Sequence, residues 1–121
     1  MGIFRPAPLS QQEASEIIEN KLQWILQSCE PKEIWLFGSA ASDGMTVASD
    51  VDFALLFEDG DSLSRCRREI YERPRPDAWH QDLAFFLLGD FCERATVGVL
   101  PMLIVQDGKR IFPQESLRRP A

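Results

Sequence analysis

Asp50 and Asp52 flank Val51 at the start of a run, Phe53-Ala54-Leu55-Leu56-Phe57, that is otherwise apolar. On an extended strand alternate side chains share a face, so the two carboxylates point the same way with Cα atoms ~7 Å apart. Like charges on an apolar strand repel each other and lose hydration, an arrangement that makes physical sense when a cation or solvent lies between them. Mg²⁺ takes oxygen ligands and commonly binds through one or two carboxylates plus substrate phosphates. Asp50 and Asp52 fit that role. Phe53, Leu55 and Phe57 then project the opposite way and anchor the strand in a core. Ten residues separate Gly38-Ser39 from Asp50. The glycine lets backbone approach a phosphate closely, the serine offers a hydroxyl and an N–H, and a helix starting there adds further N–H groups and a favourable dipole. Gly38, Ser39 and Ser49 are the candidate phosphate-side residues.

Those residues need a scaffold. Ser10-Gln11-Gln12-Glu13 reads as a capping box, and Ala14, Ile17, Ile18, Leu22, Ile25 and Leu26 recur behind it at helical spacing. A helix from about Ser10 to Ser28 is expected. Glu33 to Phe37 is a short β-forming run that stops at Gly38, followed by a tight turn into a short helix. Val51 to Phe57 is the second strand. Asp61 or Ser62 can cap a helix whose buried stripe is Leu63, Cys66 and Ile70. Arg73-Pro74-Arg75-Pro76-Asp77 is a surface loop, because each proline disfavours helical geometry in the residue before it. A third strand runs from Gln81 to Leu88, Gly89-Asp90 breaks it, and a short helical turn through Phe91, Cys92 and Ala95 follows. Leu103-Ile104-Val105 and Ile111-Phe112 around Asp107-Gly108 read as a terminal hairpin with a primed turn. The sum is an α+β fold, a mixed β-sheet with helices packed on it, in one domain spanning residues 1–121.

The Gly-Ser, ten-residue gap and Asp-x-Asp spacing resembles the signature of the DNA polymerase β-like nucleotidyltransferase superfamily, specifically its minimal nucleotidyltransferase members. The resemblance is closest from about Glu33 to Phe57 and extends more loosely to Phe112, with Val105 to Lys109 and Ile111 in place of the family's closing hairpin. It implies the nucleotidyltransferase fold and transfer of a nucleoside monophosphate, most simply AMP from ATP, to a hydroxyl. The implied metal is Mg²⁺, held by Asp50, Asp52 and a third carboxylate from a later strand. That third group assists deprotonation of the attacking hydroxyl and completes the second metal's ligands. Asp82, opening the third strand, is the position matched to it; Asp77 and Asp90 stay open as alternatives. Where family members often carry an Arg after Gly-Ser-x-Ala, this chain has Ser42 followed by Asp43. Arg65, Arg67 or Arg68 on the next helix could supply that cation, against the plainer reading of a solvated helix face. His80, the one histidine, reads as a surface residue.

Among partners, the resemblance implies a nucleoside triphosphate and a helical HEPN-domain toxin, the chain being of the antitoxin type, or self-association. Two other classes stand beside the enzyme: a module of this fold that masks a protein partner with little or no activity, and a subunit of a larger transferase. The net charge of −6 argues against an extended nucleic-acid surface. No apolar run approaches a membrane span or a leader peptide, so a cytoplasmic protein is expected. Cys29, Cys66 and Cys92 are odd in number and widely spaced, which predicts buried thiols rather than a disulfide or zinc site.

Overall fold

A computed structural model describes residues 7–42, 44–76, 80–95 and 100–113. The chain opens with α1, Gln11–Ser28, set by a complete capping box. Ser10 Oγ accepts from the Glu13 amide at 3.1 Å, and the Glu13 carboxylate accepts from the Ser10 amide at 2.9 Å. These bonds satisfy two of the donors that a helix start leaves orphaned. β1, Glu33–Phe37, leads into a single 3₁₀ turn, Gly38–Ala41, and then β2, Val51–Phe57. α2, Gly60–Glu72, is capped by Asp59, whose Oδ1 accepts from the Ser62 amide at 2.7 Å. The cap therefore lies two residues before Asp61 and three before Ser62. β3, Gln81–Leu87, runs directly into α3, Leu88–Arg94.

The sheet has the order β3-β2-β1-β4, with β4 formed by Lys109–Phe112. β1 is antiparallel to both β2 and β4, while β2 and β3 run parallel, joined through α2. This is the α+β fold with a mixed four-stranded sheet that the strand and helix patterns predict. Alternation along β2 divides the core. Val51, Phe53, Leu55 and Phe57 face α1 and α2, all essentially inaccessible, in a cluster with Leu22, Ile25, Ile34, Leu36 and Ile70. Ala54 and Leu56 face the other way, against Phe91 of α3 and Ile104.

Two expectations are overturned. Leu103, Ile104 and Val105 form no hairpin strand; they belong to α4, Leu100–Asp107. A short apolar run cannot be assigned to strand or helix by periodicity alone, and here tertiary packing decides, seating Ile104 against the sheet, with Pro101 buried three residues before it. Gly108 closes the helix, its amide donating to the Ile104 carbonyl at 2.7 Å. A primed turn needs positive φ, and among the described residues only Gly38 has it. Gly108 is required for a different reason: a Cβ there would stand 2.5 Å from the Ile104 carbonyl oxygen and 2.8 Å from that of Leu36. Both are backbone atoms, so Gly108→Ala is expected to cost about 1–3 kcal/mol in urea denaturation, and a neutral result would mean α4 and β4 are not seated this way.

The second correction concerns the cysteines. Cys29, at the end of α1, and Cys66, on the buried stripe of α2, are joined as a disulfide with Cα atoms 5.0 Å apart. Their separation of 37 residues conceals a helix–helix contact that exists only once both helices pack on β2. Cys92 is free and exposed rather than buried. Among the described residues, no helix is long and apolar enough to cross a membrane.

Candidate active site

β2 enters the sheet at Val51, and its second residue, Asp52, lies opposite Phe37 on β1 and Asp82 on β3. The parallel pairing thus brings two carboxylates from sequence positions thirty apart to adjacent strands on one sheet face, the face that carries Ala54 and Leu56 further along. Asp50 precedes the strand and is exposed, Asp82 is exposed, and Asp52 is half-buried between them. α3 and α4 cover the far half of this face, through Phe91 and Ile104, and leave the aspartate end open.

The carboxyl of Asp52 is pushed up from its ordinary 3.8 to about 6. Burial is the largest cause, followed by the charge of Asp82, a hydrogen bond shared with the Asp82 carboxyl, and the charge of Asp50. Each cause disfavours the ionised form. The structure therefore brings together Asp50, Asp52 and Asp82. Asp90 lies in the first turn of α3, beyond the opposite end of β3, and Asp77 and Asp43 lie outside the described residues.

Gly38 completes the site. Its φ of 71° is a conformation L side chains rarely adopt, and a Cβ at this position would collide with Asp52 Oδ2. The turn and the carboxylate are thus built against each other. Gly38→Ala is expected to destabilise by about 1–2 kcal/mol from backbone strain and to displace the Asp52 carboxylate. Urea denaturation should show that loss; an unchanged midpoint would show that the turn does not require this conformation.

The other predicted positions are more committed to the scaffold. Ser39 is half-buried, and its carbonyl accepts from the amide and hydroxyl of Ser42 at 3.3 and 3.2 Å. Ser42, standing where the resemblance places an arginine, is thereby folded back onto the turn. The Ser49 hydroxyl accepts from the Thr46 amide at 2.8 Å, closing the loop before Asp50. Arg65, Arg67 and Arg68 are exposed on α2, across the sheet from the aspartates, with the Arg67 guanidinium 5.4 Å above the Phe85 ring. None supplies the cation missing at Ser42. His80 is exposed, and its Nδ1 accepts from Arg75 Nη1 at 3.3 Å.

Sequence reasoning missed Lys21, which is fully inaccessible, donates from Nζ to Gln81 Oε1 at 3.1 Å, and so ties α1 to the start of β3 beside Asp82. The signal was present: Ile18, Lys21 and Ile25 fall at helical spacing, and a lysine within an apolar stripe is informative.

As the side chains lie, no group of three or more His, Cys, Asp or Glu among the described residues forms a metal site. The Asp52–Asp82 pair nonetheless fits a hard divalent cation. Its donors are all oxygen, it is half open to solvent, and Asp52 is held towards protonation by two like charges that a cation would compensate. A groove of about 760 Å³ lies elsewhere, between α1 and the strands β1 and β4, lined by residues such as Ile18, Leu22, Leu36 and Ile111. No aspartate of the site reaches it.

Comparison with known families gives a match to the Nucleotidyltransferase domain over residues 13–110, which takes in all four strands up to Arg110 of β4 and both aspartate-bearing segments. No curated protein and no solved structure gives a match.

Proposed function

Because the chain belongs to the Nucleotidyltransferase domain family, we propose that it transfers a nucleoside monophosphate, most simply AMP from ATP, to a hydroxyl, using the carboxylates of Asp50, Asp52 and Asp82. The observation that carries this reading is the Asp52 carboxyl, set over Gly38 and beside Asp82, with a proton affinity raised by burial and by its carboxylate neighbours. Asp50 and Asp52, with Asp82, would hold Mg²⁺. Bound there, the ion neutralises the triphosphate and favours in-line displacement. The protein's own part is to place the triphosphate over the Gly38–Ala41 turn and to receive the acceptor proton at Asp82, the exposed member of the pair. Ser39 and Ser49 border that turn and the loop before Asp50.

A second reading is favoured by two specific observations. Ser42 replaces a phosphate-facing cation and is bonded back to Ser39, while Leu100, Leu103 and Val105 leave α4 with exposed apolar side chains. These suit a weakly active module that masks a protein partner, the role of an antitoxin paired with a HEPN-domain protein. Calorimetric titration of ATP with and without Mg²⁺ separates the two. Binding that needs both Mg²⁺ and Asp52 supports the transferase; no binding under either condition removes it and leaves the masking module.

A further inference from the structure

On the α1/α2 face of the sheet, at the edge strand β3, lies a cavity of about 380 Å³ walled by Trp24, Ile70, Tyr71, Arg75, Gln81 and Leu83. Its volume falls in the range of small-molecule sites, ~300–1,000 Å³. Arg73 and Asp82 also border it. The Asp82 carboxyl, however, is hydrogen-bonded to that of Asp52, on the sheet face turned away from α1 and α2. The cavity is therefore a separate place from the paired carboxylates.

The polar groups that its wall leaves unused are donors. Arg73 is committed to the protein: its guanidinium lies 5.2 Å above the Trp24 ring and donates to the Trp24 carbonyl, Ser28 Oγ and Gln27 Oε1. The Trp24 indole donates to the Pro74 carbonyl at 3.0 Å and ties the next loop to α1. Arg75 stands in that loop between Pro74 and Pro76, so its backbone is confined on both sides. Its Nη1 donates to His80 Nδ1 at 3.3 Å, and among the described residues no carboxylate pairs with it. The side chain is exposed, and its other N–H groups are open to a ligand. Gln81 is oriented by Lys21, whose fully buried Nζ donates to Gln81 Oε1 at 3.1 Å. That bond occupies the amide oxygen and leaves the Nε2 donors without a partner among the described residues. Guanidinium and amide N–H groups on one wall match an acceptor-only anionic group, and an arginine without an acidic partner is notable in a chain of net charge −6.

We propose that this cavity binds a small aromatic carboxylate, with the anion on Arg75 and the Gln81 amide and the ring on the apolar wall of Trp24, Ile70, Tyr71 and Leu83. Tyr71 is 70% exposed, its ring 6.5 Å from that of Phe85, so most of its surface is offered outward rather than to the core. An aromatic surface beside a guanidinium suits a flat ligand that carries its charge at one end. The site stands independently of nucleotidyl transfer. No group of the ligand reacts, and its binding stabilises the junction of α1, α2 and the start of β3 by mass action.

The test titrates small carboxylates into the full chain by calorimetry, each set beside its neutral amide. The pairs are benzoate and benzamide, phenylacetate and phenylacetamide, and indole-3-acetate and indole-3-acetamide, with acetate as the ringless control. At least one aromatic carboxylate is expected to bind, and acetate to bind too weakly to measure. For the best carboxylate, Arg75→Gln should weaken binding roughly 10- to 100-fold, the loss of a charge-assisted hydrogen bond, while leaving the matching amide unchanged. Arg75→Lys should recover part of the loss. Tyr71→Ala, at an exposed position, should weaken acid and amide alike. Asp52→Asn and saturating Mg²⁺ should leave the affinity unchanged, because the paired carboxyls lie on the other face. No binding by any aromatic carboxylate of the panel, equal binding of acid and amide, or an affinity indifferent to Arg75→Gln would overturn the assignment. Binding lost in Asp52→Asn would also overturn it, by moving the ligand to the aspartates.

Discussion

Replacing Asp52 by Asn is expected to make the metal-free protein more stable while eliminating the Mg²⁺-dependent ATP binding proposed above. The carboxyl of Asp52 has its affinity for a proton raised from 3.8 to about 6 by burial and by Asp82 and Asp50. A raised acid favours the folded state when protonated: its contribution is fully present below about pH 4 and is lost as pH rises through about 6. At pH 7 the folded protein therefore carries an unfavourable ionised carboxylate. A displacement of that size corresponds to ~3 kcal/mol undiminished, and screening at a half-open site reduces it to ~1–2 kcal/mol. Asparagine keeps the shape without the charge. Its melting temperature should exceed that of the wild type by several degrees at pH 7, and the gap should close as pH falls below about 4. Mg²⁺ should stabilise the wild type and not the variant. Nucleotidyl transfer should disappear in Asp52→Asn, and in Asp50→Asn, with the fold intact. Turnover retained in either would sink the catalytic assignment; a variant less stable than the wild type at pH 7 would mean that Asp52 is already compensated in the metal-free protein.

The second large effect is on the scaffold. Phe53 is inaccessible to solvent, adjoins Asp52, and lies in register with Leu36 on β1 and Leu83 on β3. Phe53→Ala should cost ~3–5 kcal/mol in chemical denaturation, because the removed ring leaves a cavity between β2 and the α1–α2 layer that surrounding side chains fill only in part. A loss below about 1 kcal/mol would place that face of β2 in solvent and reverse the strand's orientation, pointing the aspartates into the core. The stability and binding experiments thus check one geometric statement from its two sides.

Much of the site was legible because its signals are local. Strand alternation puts Asp52 opposite Phe53, Leu55 and Phe57 whatever the rest of the chain does. The capping box at Ser10 and Glu13 is likewise complete within four residues. What local pattern could not settle depends on which elements meet. Leu103 to Val105 became helix because Ile104 found the sheet. Cys29 met Cys66 because α1 and α2 share one face of β2.

The sequence by itself determined that Asp52 lies on the face of β2 opposite Phe53, Leu55 and Phe57, behind a Gly-Ser turn and with Asp50 just before the strand, since spacing and alternation are properties of the backbone alone. Only the tertiary structure decided that Asp82, rather than Asp90, stands beside Asp52, through the parallel register of β2 and β3, and that Gly38 is shaped around the Asp52 carboxylate. Register between strands thirty residues apart is set by how the intervening helix packs, and no pattern within either strand encodes it.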